Sequence, residues 1–320
     1  MVFNKLRKIM NLVRNFTLSA LDISSEKIME LNLIRLMFGK LLDALRFDKP
    51  SPGNFGVDPE AERKMESFSV HSDGLVIRGK IMFPSARPSM QYPALIICHG
   101  IPGSGEARPA DDPGYEALME RFSGLGMAAV FFNFRGCGES DGDFDMMGWT
   151  RDLRAVIDKI VNTPHVDQTR IVLLGFSGGA ATSICVSADN SNVFALASVC
   201  SPATFEIFQK DPQEILKDFR DRGLIRNPDF PPNVDLWIKS FKGIEPLRWI
   251  SYFKGKHLLI AHGDEDELIP VSAANELFTK APAGIKELDI IHGGKHRLRN
   301  NQECLDMLDN WFIKVLGWKK

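Results

Sequence analysis

The chain has 320 residues, 44% of them hydrophobic, 25% charged and 9% aromatic, averages for a globular protein that exclude disordered, collagen-like and low-complexity readings. A net charge of −2 offers no basic stripe for nucleic acid, and no run of 18 apolar residues provides a membrane-spanning helix. The cysteines, Cys98, Cys137, Cys185, Cys200 and Cys304, form no CxxC pair. Cys98, Cys185 and Cys200 sit in apolar runs and are expected as small buried hydrophobes in a reducing compartment.

Residues 1–49 differ from the rest, with nine Lys/Arg against five Asp/Glu. Val2, Leu6, Ile9, Val13 and Phe16 recur at spacings of four and three, and Leu31, Ile34, Phe38, Leu41 and Leu45 repeat the pattern. Two amphipathic helices are therefore expected, the second started by Ser24-Ser25-Glu26. A Pro/Gly-rich break closes this N-terminal extension at residue 56. Arg14 interrupts the one stretch that could form a signal-peptide core, so a cytoplasmic location is expected. Three roles are open for the arm: packing against the body, a homodimer contact, or peripheral membrane contact through Lys5, Arg7, Lys8 and Arg14.

From residue 65 strands and helices alternate. Ser67–Val70 and Leu75–Phe83 flank a turn signal at His71-Ser-Asp-Gly74. Apolar runs follow at 94–98, 127–132, 170–174, 193–199, 257–261 and 287–291, continuous as in parallel strands covered on both faces. Helical patterns lie near 114–125, 149–162, 178–189, 272–281 and 301–316. The expected fold is α/β: a mostly parallel eight-stranded sheet with helices on both faces and an antiparallel start. Residues 57–200 and 256–320 would form this core. Residues 201–255, rich in Phe and Trp, are too long for a simple crossover and are read as a helical cap over the carboxyl edge of the sheet, where ligands bind.

Gly175-Phe-Ser-Gly-Gly179 follows the 170–174 strand and opens a helix-competent run. A serine on such a turn exposes its hydroxyl, and small residues two positions either side let the chains crowd there. The helix N-terminus directs free amides at charge developing on a substrate oxygen. Ser177 is thus the candidate nucleophile, and it needs a histidine oriented by a carboxylate. Of seven histidines, His71 and His165 lie too early or in a surface connection, and His99 precedes a loop. His257 and His262 bound a strand, and His292 reads as strand-end structure. His296 remains, on a glycine-rich loop after the last strand. The carboxylate comes from His262-Gly-Asp-Glu-Asp-Glu-Leu-Ile-Pro270, with Asp266 preferred over Asp264 because Ile269-Pro270 fixes the loop just beyond it.

The order Ser177, Asp266, His296, each after a successive strand, resembles the α/β-hydrolase fold over residues 65–316. Cys98-His-Gly-Ile-Pro-Gly103 is similar to that family's HG loop, which implies an oxyanion hole from the amides of Ile101 and Gly178. Asn133-Phe-Arg-Gly-Cys-Gly-Glu-Ser140 resembles its DxRGxGxS turn, with Asn for the first Asp. With Asp-Gly-Asp-Phe144 following, the pattern is most similar to the serine aminopeptidase/monoglyceride-lipase-like group and to bacterial cinnamoyl (feruloyl) esterases.

The expected activity is carboxylesterase-like hydrolysis of a small-molecule ester or thioester through an acyl-Ser177 intermediate. Phe176, Phe205, Phe208 and Trp237 are the candidates for substrate contact, and the aromatic cap suggests an apolar acyl or aromatic group. No cofactor or metal is expected, because no ligand spacing and no GxGxxG after a strand occur. Two rivals stay open. One is an aminopeptidase- or dipeptidyl-peptidase-like hydrolase of the same fold, its substrate amine held by Glu106, Asp111 and Asp112. The other is a catalytically silent binding module.

Overall fold

The computed structural model describes residues 63–84, 90–103, 112–205, 211–284 and 286–318. The N-terminal extension with its two expected helices, the loop acids Glu106 and Asp111, and Phe208 lie outside the described residues.

One sheet contains all eight expected strands: β1 (Met65–Ser72), β2 (Leu75–Met82), β3 (Tyr92–Cys98), β4 (Ala128–Phe132), β5 (Val166–Phe176), β6 (Val193–Val199), β7 (His257–Gly263) and β8 (Lys286–Ile291). Their order is β1-β2-β4-β3-β5-β6-β7-β8. β2 runs antiparallel to both its neighbours, and β3 through β8 are mutually parallel. Only β5 departs much from its apolar run. It begins at Val166, which pairs with Tyr92 before a register shift, and its first half is polar and partly exposed.

The helices are α1 (Gly114–Gly124), α2 (Met146–Val161), α3 (Gly178–Ser187), α4 (Pro212–Asp221), α5 (Val234–Ser240), α6 (Pro246–Trp249), α7 (Ser272–Lys280) and α8 (Gln302–Val315). α2 starts earlier than its apolar stripe because Asp145 caps it, accepting from the amides of Met147 and Gly148.

Side chains alternate across each strand, so the sheet feeds two cores. Along β3, Ala94, Ile96 and Cys98 enter the core shared with α2, α3 and α7. Leu95 and Ile97 enter the other, closed by α1 and α8. All five cysteines are buried free thiols. Among the described residues, no helix is long and apolar enough to cross a membrane.

The insertion between β6 and β7 carries α4, α5 and α6 and is fastened to the loop after β4. Phe144 stacks on Phe219 with ring centroids 4.4 Å apart, and its amide donates to Leu224 O at 2.8 Å. Asp143 accepts from the amides of Arg226 and Asn227. On the other side, the Arg222 guanidinium donates to Pro102 O, in the loop after β3.

Candidate active site

Ser177 stands between β5 and α3 with φ 52° and ψ −121°, a left-handed conformation costing a non-glycine residue on the order of 1–3 kcal/mol. The neighbouring glycines make that turn sterically possible. A Cβ on Gly175 would lie 2.5 Å from Ala180 Cα, and one on Gly179 would lie 2.3 Å from the His99 carbonyl oxygen. Neither position has room for a side chain. The strain turns the hydroxyl out of the strand towards the loop that follows β8.

There the Ser177 Oγ meets His296 Nε2 at 3.0 Å. On the far side of the ring, His296 Nδ1 lies 2.8 Å from Asp266 Oδ2 and 3.0 Å from Oδ1. The carboxylate is an acceptor, so Nδ1 carries the proton and Nε2 is left to accept from the serine. Asp266 is fully buried at its side chain. Burial works against its ionisation, but donors from His262, His296, Ile269 and Leu268 outweigh it and hold the carboxyl far below the usual carboxylate range. Asp266 Oδ1 accepts from the amides of Leu268 and Ile269, each at 2.9 Å.

Two loops thirty residues apart must approach closely for this contact. Gly263 and Gly294 permit it: a Cβ on Gly263 would lie 2.0 Å from Gly294 O. The amide of Glu265 donates to Gly294 O and that of Asp264 to Ile291 O. Beside the buried pair runs an exposed copy of it, Asp264 with His292 at 2.7 Å. Their hydrogen bond raises the His292 pKa and lowers that of Asp264. His292 follows directly on β8, which stops at Ile291, and its side chain is 95% exposed.

Near Ser177, a Cβ on Gly178 would stand 3.5 Å from Ile101 N, and one on Gly100 would stand 3.0 Å from Ser177 Cβ. The amide-bearing segments expected at the oxyanion position thus converge beside the serine. His99, set aside in the sequence as merely preceding this loop, holds it. Its Nδ1 donates to Gly100 O at 2.7 Å and its Nε2 accepts from Phe134 N at 3.1 Å. With the Gly100 carbonyl turned to the ring, the trans peptide presents the Ile101 N–H on the opposite side. Burial, opposed by the bond to Gly100, pushes the His99 pKa down to about 4.

The proposed contact residues fare differently. Phe205 and Trp237 are buried at 5% and 6% exposure. Trp237 packs on Phe219 and Phe241 and donates its Nε1–H to Phe144 O. Trp237 thereby joins the insertion to the body, and Phe205 packs on Phe241 within the insertion. Phe176 is also buried, edge-on to Tyr115. Asp112 does not stand open to a substrate amine. It accepts from the Arg299 guanidinium and the Gly114 amide, and the Arg299 bond, against burial, holds its carboxyl well below the usual range.

Cys200, Asp266 and His296 form the one group among the described residues with ligand atoms close enough to share a metal ion, all within 4.8 Å. Binding would break the Asp266–His296 bond and ionise a thiol whose pKa burial, and then the Asp266 charge, push up. The donor set suits the present pairing better.

A family model described as alpha/beta hydrolase fold matches residues 93–249, and the sheet order and helices described above are those of the α/β-hydrolase fold. It is 26% identical over 203 residues to dipeptidyl aminopeptidase A of Saccharomyces cerevisiae, covering 58% of this chain and 19% of that protein. It is 31% identical over 183 residues to polyketide transferase ATR5 of Stachybotrys chlorohalonatus, covering 55% and 57%. The chain thus spans less than two thirds of the length of either relative. Among solved structures, Est1E from Butyrivibrio proteoclasticus with bound ferulic acid superposes with a TM-score of 0.61 at 20% identity, covering 78% of this chain and 99% of that one.

Proposed function

We propose that the protein is a serine hydrolase that cleaves carboxylic esters or thioesters through an acyl-Ser177 intermediate, carboxylesterase chemistry of the EC 3.1.1 kind. The observation that carries this reading is the unbroken line from Ser177 Oγ through His296 to buried Asp266, at 3.0 and 2.8 Å. In the proposed mechanism His296 takes the Ser177 proton as Oγ attacks the acyl carbon. It returns that proton to the leaving group, then activates water to release the acid. Asp266 keeps the imidazole in the tautomer that accepts at Nε2 and stabilises its cation. The amides of Ile101 and Gly178 receive the tetrahedral oxyanion, each worth about 3 kcal/mol in comparable sites. The helical insertion, held over the Ile101 loop by Arg222, serves as the cap.

A peptidase reading draws on the similarity to dipeptidyl aminopeptidase A, but Asp112, the described acid offered for an amine, is engaged by Arg299. The deciding experiment is a fluorophosphonate probe on wild type and Ser177→Ala, followed by p-nitrophenyl esters against aminoacyl anilides. Label at Ser177 and ester turnover above anilide turnover are expected, with activity in Ser177→Ala below about a thousandth of wild type. Label elsewhere, or persisting activity in that variant, refutes the assignment.

A further inference from the structure

We propose that His262 is a positioning residue of the proposed reaction, its Nε2–H holding Asp266 Oδ2 in the place from which it orients His296. The inference rests on the reading of Ser177, His296 and Asp266 just given.

Asp266 is anchored asymmetrically. Oδ1 takes two backbone amides, Leu268 and Ile269, at 2.9 Å each, and these act as a hinge. Oδ2 faces side chains, His296 Nδ1 at 2.8 Å and His262 Nε2 at 3.2 Å, and His296 Nδ1 also lies 3.0 Å from Oδ1. A carboxylate hinged at one oxygen can swing about its Cβ–Cγ bond, and a small swing at Oδ2 moves the imidazole it holds. His262 is the second post. Its Nε2 also donates to Ile269 O at 3.0 Å, so one N–H is divided between the loop carbonyl and the carboxylate. The ring therefore locks the loop's return at Ile269 and the swinging oxygen together.

The ring's other nitrogen says that packing is not its whole purpose. His262 is fully buried, and its Nδ1 has no hydrogen-bond partner among the described residues. A buried acceptor left unpaired costs on the order of 1–3 kcal/mol, which a leucine filling the same space would not incur. The partners also fix the proton's position: both atoms facing Nε2 are acceptors, so Nε2 carries it and Nδ1 is bare. An N–H donor at this point is thus retained against a cost, and what it reaches is the carboxylate that orients the proposed base.

The test compares full-length wild type, His262→Leu and His262→Gln with p-nitrophenyl butyrate, with rates normalised to the fraction of sites that a fluorophosphonate labels. The leucine variant loses the donor. Its kcat should fall on the order of tenfold to a hundredfold, as small misplacements of catalytic groups do, with KM nearly unchanged. Glutamine places an amide N–H within reach of Asp266 and should recover most of the loss, which a purely structural role would not produce. If the leucine variant is labelled and keeps kcat within about twofold of wild type, or glutamine recovers nothing, the inference is overturned and the Ser177 reading stands. If wild type takes no label at Ser177, the underlying reading falls first. Nitrogen-15 NMR of histidine-labelled wild type gives a check that needs no variant to fold: His262 should carry its proton on Nε2, and a proton on Nδ1 overturns the proposal.

Discussion

Asp266→Asn separates the buried Asp–His pair from its exposed copy. Four donors converge on the Asp266 carboxylate, from His262, Leu268, Ile269 and His296. An asparagine has only one acceptor oxygen. Turned so that its NH2 meets the Leu268 and Ile269 amides, it would lose two buried backbone hydrogen bonds. The other orientation wins: oxygen to the amides, NH2 in the place of Oδ2. That NH2 now donates towards His296 Nδ1, which can accept only by shifting its proton to Nε2. The imidazole then points a proton at Ser177 Oγ instead of a lone pair, and the proposed base is gone. The expected fall in kcat/KM is about 10⁴-fold, or about 5.5 kcal/mol of transition-state stabilisation.

Folding suffers much less. His262 keeps its bond to Ile269 O, so the conflict at the NH2 costs about 1–3 kcal/mol and the melting temperature drops by several degrees. Asp264→Asn touches only contacts at the rim, to His292 and to the Gly293 amide that the asparagine oxygen can still accept, and should leave turnover within about twofold. Ester hydrolysis with p-nitrophenyl butyrate and a thermal melt on each variant provide the test. Activity above a hundredth of wild type in Asp266→Asn, or greater damage from Asp264→Asn, refutes the reasoning.

Two further outcomes follow from the same geometry. A His99 pKa depressed from 6.5 to about 4 means the unfolded chain takes a proton that the folded one refuses, so stability falls as pH drops through that window, by about 3 kcal/mol at 1.4 kcal/mol per unit. The depressed carboxylates Asp266, Asp112 and Asp141 withdraw their contribution only below their unfolded value of 3.8, so urea midpoints that stay level from pH 7 to 4.5 would remove His99 from this role. Gly179→Ala should lower the melting temperature despite alanine's better helix propensity, because the new Cβ meets the Cys98 and His99 carbonyl oxygens at 2.4 and 2.3 Å and overpacking of this kind costs about 1–3 kcal/mol; a variant as stable as wild type would mean that the end of β3 yields freely.

Much of this arrangement is legible in the residues because each level of it leaves a pattern. Strands buried on both faces read as unbroken apolar runs, and the serine, acid and histidine lie in loops directly after three of them. Other parts leave no local trace. The polar first half of β5 is held by pairing with Tyr92, a residue over seventy positions away. Asp112 looks like a loop acid until Arg299 arrives from the far end of the chain. The aromatics of the insertion carry the same composition whether they line a pocket or fill a core, and the packing of Phe219 and Trp237 on Phe144 leaves no mark in it. In the sequence His262 marks the end of a strand, and its contact with Asp266 exists only because the loop turns back at Ile269. A histidine four residues before the chosen acid was the one available signal.

The acidic run after β7 shows how four like charges are made to serve one. A stretch Asp264-Glu-Asp-Glu267 would ordinarily be a solvated loop, and its charges repel. Here each residue is committed through a different group. Asp264 takes the Gly293 amide and His292 at the rim. Glu265 contributes its backbone amide to Gly294 O. Glu267 accepts the His296 amide, which fixes the backbone from which the ring projects. Three of the four thus hold the loop after β8, and only the fourth, Asp266, turns inward to the ring itself. Its neighbours' charges and its burial both disfavour an anion there, so the density of donors around it is a requirement of the design. Those donors are already in place in the folded protein, so the proposed reaction would not have to reorient them.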